Sequence, residues 1–201
     1  HAINYWFPSP DGSHVALGVS ASGSEEAVLH VLDTATRKRI GEPIDRAEYA
    51  GAYAGISWMP DGKSFFHLRL QQTPAGAPAT ERYKNMRLWL HTPGTDAAKD
   101  VQILGPGTAP RVAVSPTEQA FVIVTPGSRH AVAMVVADVE REVTLYTAPL
   151  ETVGKPGTPW TKICGVADKV TSFAVKGDDI YLMTYAASPR FSVVRTSLAK
   201  P

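Results

Sequence analysis

AGISWMPDGKSFFHLRL, residues 54–70, decides the fold. Ile56 and Trp58 alternate with Ser57 ahead of Pro60-Asp61-Gly62, and Phe65, Phe66, Leu68 and Leu70 follow the bend. Proline presets φ at the first turn position, aspartate accepts hydrogen bonds from the backbone just ahead, and glycine takes the positive φ that closes the turn. Aromatic and β-branched residues on both sides suit a pleated, half-buried surface, so the segment reads as a β-hairpin.

The hairpin recurs. WFPSPDGSHVALGVS (6–20) carries the same Pro-Asp-Gly, FVIVTPGSRHAVAMVVA (121–137) turns at Pro126-Gly127-Ser128, and FAVKGDDIYLMTY (173–185) turns at Gly177-Asp178. The turns stand roughly 50, 66 and 51 residues apart, near the period of a four-stranded propeller blade. Third-strand candidates follow each hairpin at 28–32, 86–91, 142–147 and 191–196, and fourth-strand candidates at 39–44, 101–104 and 160–164. The expected architecture is all-β: a partial β-propeller of about four blades, each of up to four antiparallel strands, near 3–44, 53–104, 105–165 and 170–201. Residues 131–139 fit a strand or a short helix by periodicity, and their β-branched content favours the strand. Residues 105–116 read as a connector and 71–82, with two prolines and several small residues, as a solvent loop. Asp33-Thr34-Ala35-Thr36-Arg37 resembles an Asp-x-x-Thr-Gly inter-strand turn with arginine in place of glycine.

Composition narrows the function classes. Twenty basic against nineteen acidic residues give no electrostatic footprint for nucleic acid or for a polybasic membrane contact. No apolar run reaches the ~18 residues of a membrane span, and the N-terminus lacks a signal-peptide pattern. A soluble protein is expected, with cytoplasm and periplasm both open. Cys164 is the lone cysteine, which excludes an internal disulfide and reads as a small apolar residue at a strand end. The chain opens at His1-Ala2 directly before strand-like residues and stops after a third strand. The expectation is a piece of a larger protein, with open edges that would template edge-to-edge self-association.

A search for chemistry within the chain returns no catalytic residue, metal ligand set or cofactor. Gly18-Val19-Ser20-Ala21-Ser22 lacks the final glycine of a nucleophile elbow and leads into a polar loop. The six histidines, at 1, 14, 30, 67, 91 and 130, are scattered singly, without metal-ligand spacing. Asp11, Asp61 and the Asp178-Asp179 pair read as turn formers. Trp6 and Trp58 read as packing between blades. Phe65 and Phe66 are strand neighbours and must face opposite sides: one packs between blades, the other against a neighbouring blade or an open cavity.

SPDGSHVALGVSASGSEE (9–26), GISWMPDGKSFFHLRL (55–70) and RLWLHTPGTDAAKDVQIL (87–104) resemble the propeller domain of the prolyl oligopeptidase family of serine peptidases, the ASGSEE loop at 21–26 most distinctively. DDIYLMTYAASPRFSVVRTSL (178–198) is similar to a segment of a later blade in that family. The resemblance implies a seven-bladed propeller inserted into an α/β-hydrolase domain that supplies Ser, Asp and His; that catalytic domain and its triad lie outside these residues. It further implies that the propeller covers the active site, admitting short peptides and rejecting folded proteins. Phe66 falls where the family places a phenylalanine lining the substrate cavity and is the one candidate substrate-binding residue. The family's substrate-proximal arginine of the following blade has no counterpart here, where Val135-Val136-Ala137 stands. The chain is therefore expected to be part of the substrate-gating propeller of a peptidase that cleaves short peptides after proline, not catalytic by itself. A non-enzymatic interaction propeller is the rival class. A propeller lyase or carbohydrate-active enzyme would need clustered charges at the channel, and the sequence offers no such set.

Overall fold

A computed structural model describes residues 1–21, 24, 26–47, 55–137 and 140–201. Tyr53 and Ala54 at the start of the second module, residues 22, 23 and 25 of the ASGSEE loop, and Val139 at the end of the 131–139 run lie outside the described residues.

Among the described residues, fifteen strands form four antiparallel sheets, each a simple meander in chain order. The first comprises β1 (Ala2–Pro8), β2 (His14–Ser20), β3 (Val28–Asp33) and β4 (Arg39–Ile44). The second comprises β5 (Ile56–Trp58), β6 (Phe65–Arg69), β7 (Arg87–His91) and β8 (Val101–Leu104). The third comprises β9 (Glu118–Val124), β10 (His130–Ala137), β11 (Thr144–Pro149) and β12 (Thr161–Cys164), and the fourth only β13 (Val170–Lys176), β14 (Asp179–Thr184) and β15 (Ser192–Ser197). The all-β partial propeller is thus present, and the ambiguous run at 131–139 is strand as far as Ala137.

Turn chemistry sets the strand ends. Gly12 and Gly62 take φ of 71° and 66°, and their amides donate to Ser9 O and Met59 O at 2.9 Å. Asp11 accepts from the Ser13 amide and Asp61 from the Lys63 amide, both at 3.1 Å, so both carboxylates act as turn formers. The Asp33 turn closes as its sequence suggests, with the Thr36 amide donating to Asp33 Oδ1 at 2.7 Å. Arg37 takes the left-handed φ of 58° that glycine would otherwise supply.

The sheets pack face to face, and successive side chains of one strand enter different cores. Tyr5, Ala16, Leu29 and Val31 of the first sheet meet Ile56, Trp58 and Phe65 of the second. Phe66, Leu88 and Leu104 turn the other way, against Val122, Ala133 and Tyr146 of the third. Phe121, Val132, Met134 and Leu145 meet Ile180 and Leu182 of the fourth. Gly18 keeps the first core tight: a Cβ there would run into the Tyr5 ring, whose hydroxyl donates to Ala47 O.

One packing expectation is overturned. Trp58 is 7 % exposed and lies between sheets, but Trp6 is 67 % exposed. Trp6 pairs with Leu17 on the face of the first sheet turned away from the second. Among the described residues no sheet covers that face, so the indole has nothing to pack against.

Candidate functional site

The first strands of successive sheets stand side by side. Trp58 Nε1–H donates to Phe7 O at 3.0 Å, tying β5 to β1, and the Val124 amide donates to Ser57 Oγ at 3.0 Å, tying β9 to β5. Trp58 is held by Phe65, ring centroids 4.7 Å apart, and by His14 stacked at 6.2 Å. The turns gather at the same end: a Cβ on Gly62 would stand 3.0 Å from Asp11 Oδ1.

These strands and turns border a cavity of about 400 Å³ lined by Phe7, Pro8, Pro10, Ile56, Ser57, Trp58, Pro60, Ile123, Val124, Pro126 and Gly127. None of the lining side chains titrates, and the one hydroxyl, on Ser57, already accepts a hydrogen bond. Such a wall recognises an extended chain by shape and apolar contact and offers no acid, base or nucleophile. Sequence reasoning missed it because its prolines were assigned to the turns alone. The signal was the recurrence itself, since equivalent turns in a radial repeat converge.

Phe66, the candidate from the resemblance, is 1 % exposed in the core between the second and third sheets. Its neighbour Phe65 is fully buried in the core on the other side. They do face opposite ways, and a sheet covers each. Val135, which stands where the resemblance implies an arginine, is 4 % exposed beside Tyr146 and Ala133 in the same core as Phe66.

Two polar clusters emerge that residue spacing did not reveal. His67 Nε2–H donates to Asp100 Oδ2 at 3.1 Å and His91 Nδ1–H to Asp100 Oδ1 at 2.8 Å, with all three side chains at most 3 % exposed. An ionised carboxylate only accepts, so this pairing fixes both tautomers and leaves His67 Nδ1 a bare lone pair, buried without a donor. Burial pushes the His67 imidazole below its ordinary range against the pull of Asp100. Burial would raise the Asp100 carboxyl, but hydrogen bonds from both histidines outweigh it and hold it low. The strand register places the pair: Phe65 sits opposite His91 and His67 opposite Trp89, so both imidazoles fall on one face.

The second cluster joins the third and fourth sheets. Asp178 accepts from the Arg129 amide at 2.8 Å, from Arg129 Nε at 2.7 Å and from His130 Nδ1 at 3.2 Å, and the Arg129 amide does most to hold its carboxyl far below the usual range. Ser128 is adjacent, but its hydroxyl donates to the His130 carbonyl at 3.0 Å, not to the imidazole, so the trio is not a proton relay. Ser20 is 1 % exposed with its hydroxyl unpartnered, which excludes it as a nucleophile open to substrate. Cys164 is buried, and burial pushes its thiol up to about 11, so it stays an inert core residue. Among the described residues no group of three or more His, Cys, Asp or Glu is poised to hold a metal ion, and no helix is long and apolar enough to cross a membrane.

Comparison with known proteins places this architecture. The chain is 25 % identical over 208 residues to prolyl oligopeptidase A of Amanita bisporigera, covering 94 % of this chain and 26 % of the relative. It is 26 % identical over 191 residues to a prolyl endopeptidase of Elizabethkingia meningoseptica, covering 94 % and 25 %. Prolyl oligopeptidase B of Galerina marginata, solved with a 25mer macrocyclization substrate, superposes with a TM-score of 0.78 at 18 % identity, over 99 % of this chain and 28 % of the other. That likeness is one of fold. The chain spans about a quarter of the length of these relatives. A family model describing the prolyl oligopeptidase N-terminal beta-propeller domain matches residues 1–201, and the chain belongs to that family.

Proposed function

We propose that this domain is part of the substrate gate of a prolyl-oligopeptidase-like serine peptidase, whose hydrolase domain cleaves short peptides after proline and whose propeller selects them by size. The observation that carries the reading is the hub cavity of about 400 Å³, with apolar and prolyl walls and no titratable lining group. A wall of that kind lets an unfolded peptide pass without trapping it in charge pairs, and rigid sheets on either side exclude anything folded. The triad, on this reading, belongs to the partner hydrolase domain, and short peptides are the substrate. Phe66 enters as an interior support: at 1 % exposure it holds the second and third sheets together behind the wall.

The test is hydrolysis of a short proline-containing peptide, with and without a serine-directed inhibitor, by the protein in which this domain naturally sits and by the 201-residue chain alone. Inhibitable cleavage by the former and none by the latter is expected. Absence of inhibitable cleavage from the former overturns the proposal and favours an interaction propeller.

We also propose that the isolated chain self-associates. Ile3 and Trp6 on the first sheet are 66 % and 67 % exposed, and Met183 and Val193, paired on the fourth, are 38 % and 67 % exposed. Two such terminal surfaces on one molecule suit a second copy. Sedimentation at increasing concentration should show mass growth that Trp6→Ser reduces, and a monomer throughout overturns it.

A further inference from the structure

A second cleft lies away from the hub, between the outer strands of the second and third sheets. Its volume is about 330 Å³, and it shares no lining residue with the hub cavity. One wall is β8 with the turn at 108–111, the other is the loop at 154–158, and Trp160 closes the end. Gly154, at φ 91°, lets that loop pass close to Leu90, whose Cδ2 would lie 2.9 Å from a Cβ there.

The polar groups of the cleft divide into two sets. Thr108 is occupied, accepting from Arg87 Nη1 at 3.1 Å and from Gln102. Among the described residues the side chains of Arg111 and Lys155 make no hydrogen bond or ion pair, and the Trp160 indole N–H finds no protein acceptor, the ring being 4 % exposed. No lining residue is acidic. Two exposed cations with no carboxylate in the cleft and an indole N–H with no protein acceptor converge on one small, partly apolar cleft, and their donors are open to a ligand.

We propose that this rim cleft is a binding site for a carboxylate-bearing ligand, of the size of an acidic dipeptide unit. Arg111 and Lys155 grip the carboxylates, the Trp160 N–H donates to one oxygen, and Val101, Pro110 and Pro156 pack the aliphatic stem. The volume lies at the small end of ligand pockets. The site does not rest on the peptidase reading, because its lining comes from this chain and shares no residue with the hub cavity.

The probe is the dipeptide Glu-Glu, titrated into the chain at low and high salt by calorimetry, with Gln-Gln as the neutral control. Free glutamate and an acidic side chain within a longer peptide are then compared, to distinguish a metabolite from a protein segment. Saturable binding that weakens with salt, is lost for Gln-Gln and falls about tenfold or more in Arg111→Ala/Lys155→Ala is expected. Both side chains are exposed, so the variant should unfold at the wild-type temperature, which a melting curve checks. Lys155→Arg should retain binding. No saturable binding, equal binding of Gln-Gln, or binding unchanged in the double variant each overturns the site.

Discussion

Trp6 and Trp58 precede the same Pro-Asp-Gly turn, on the same face of equivalent hairpins, yet one is 67 % exposed and the other 7 %. Trp58 fills a core with Tyr5, Leu29 and Phe65 and donates its N–H to Phe7 O. Trp6 has no sheet in front of it among the described residues. The fourth and third sheets repeat the contrast: β10 is buried at six consecutive positions, while β13 alternates between partly buried and exposed after Val170. A strand in a radial stack has two faces to cover, and its own sequence determines the pleat while the neighbouring sheets determine burial.

The most direct way to break the comparison is to truncate both indoles. Trp58→Ala should cost about 3–5 kcal/mol, the range for a buried tryptophan, and Trp6→Ala should stay within about 0.5 kcal/mol. Urea unfolding of dilute chain measures both. Equal costs would mean that the outer face of the first sheet is covered in solution.

Legibility followed the same division. The strands at 39–44 and 101–104 end where turn chemistry and alternation place them, and Met86, Trp160 and Phe191 each fall one residue outside the strand assigned to them. Those features are local. Trp6 was misplaced because exposure on a sheet face depends on a module elsewhere in space. Phe65 and Phe66 were correctly set on opposite faces, but that parity could not tell a covered face from an open cavity. His67 and His91 were readable in principle, once β6 and β7 were paired in register. Asp100 was not, since it arrives from a short helical turn 33 residues after His67. The rim cleft is likewise closed by loops from different sheets, whose convergence has no period in the sequence.

The buried histidine pair offers a smaller effect with a definite sign. His67 has its pKa lowered below 6.5 by burial, so the unfolded chain binds a proton that the folded chain refuses. Stability is therefore full above pH 6.5 and falls as the pH drops through it. Asp100, held below 3.8 by its two histidines, adds a second loss as the pH falls through the carboxylate range. Both act in the direction of acid destabilisation. Chemical unfolding from pH 8 to 5 should show the first loss, and His67→Gln should flatten that slope while leaving the loss at lower pH. A slope unchanged in His67→Gln would assign the sensitivity between pH 8 and 5 to another group, of which His30, held below the ordinary imidazole range by burial and by the Arg39 charge, is the next candidate.

The finest distinction lies between two kinds of inter-strand turn. Gly12 and Gly62 take positive φ freely, whereas Arg37 holds φ 58° with a Cβ attached, in a turn otherwise closed by Asp33 and Thr36. A left-handed non-glycine residue costs about 1–2 kcal/mol, and glycine returns part of that through the greater freedom of its unfolded chain. Arg37→Gly should therefore stabilise the chain by about 0.5–1 kcal/mol, read as a raised urea midpoint with an unchanged slope. Arg37 makes no ion pair among the described residues, so little there opposes the gain. A lowered midpoint would mean that the arginine stem packs usefully on the first sheet, and the absence of glycine from this turn would then be a feature of the packing.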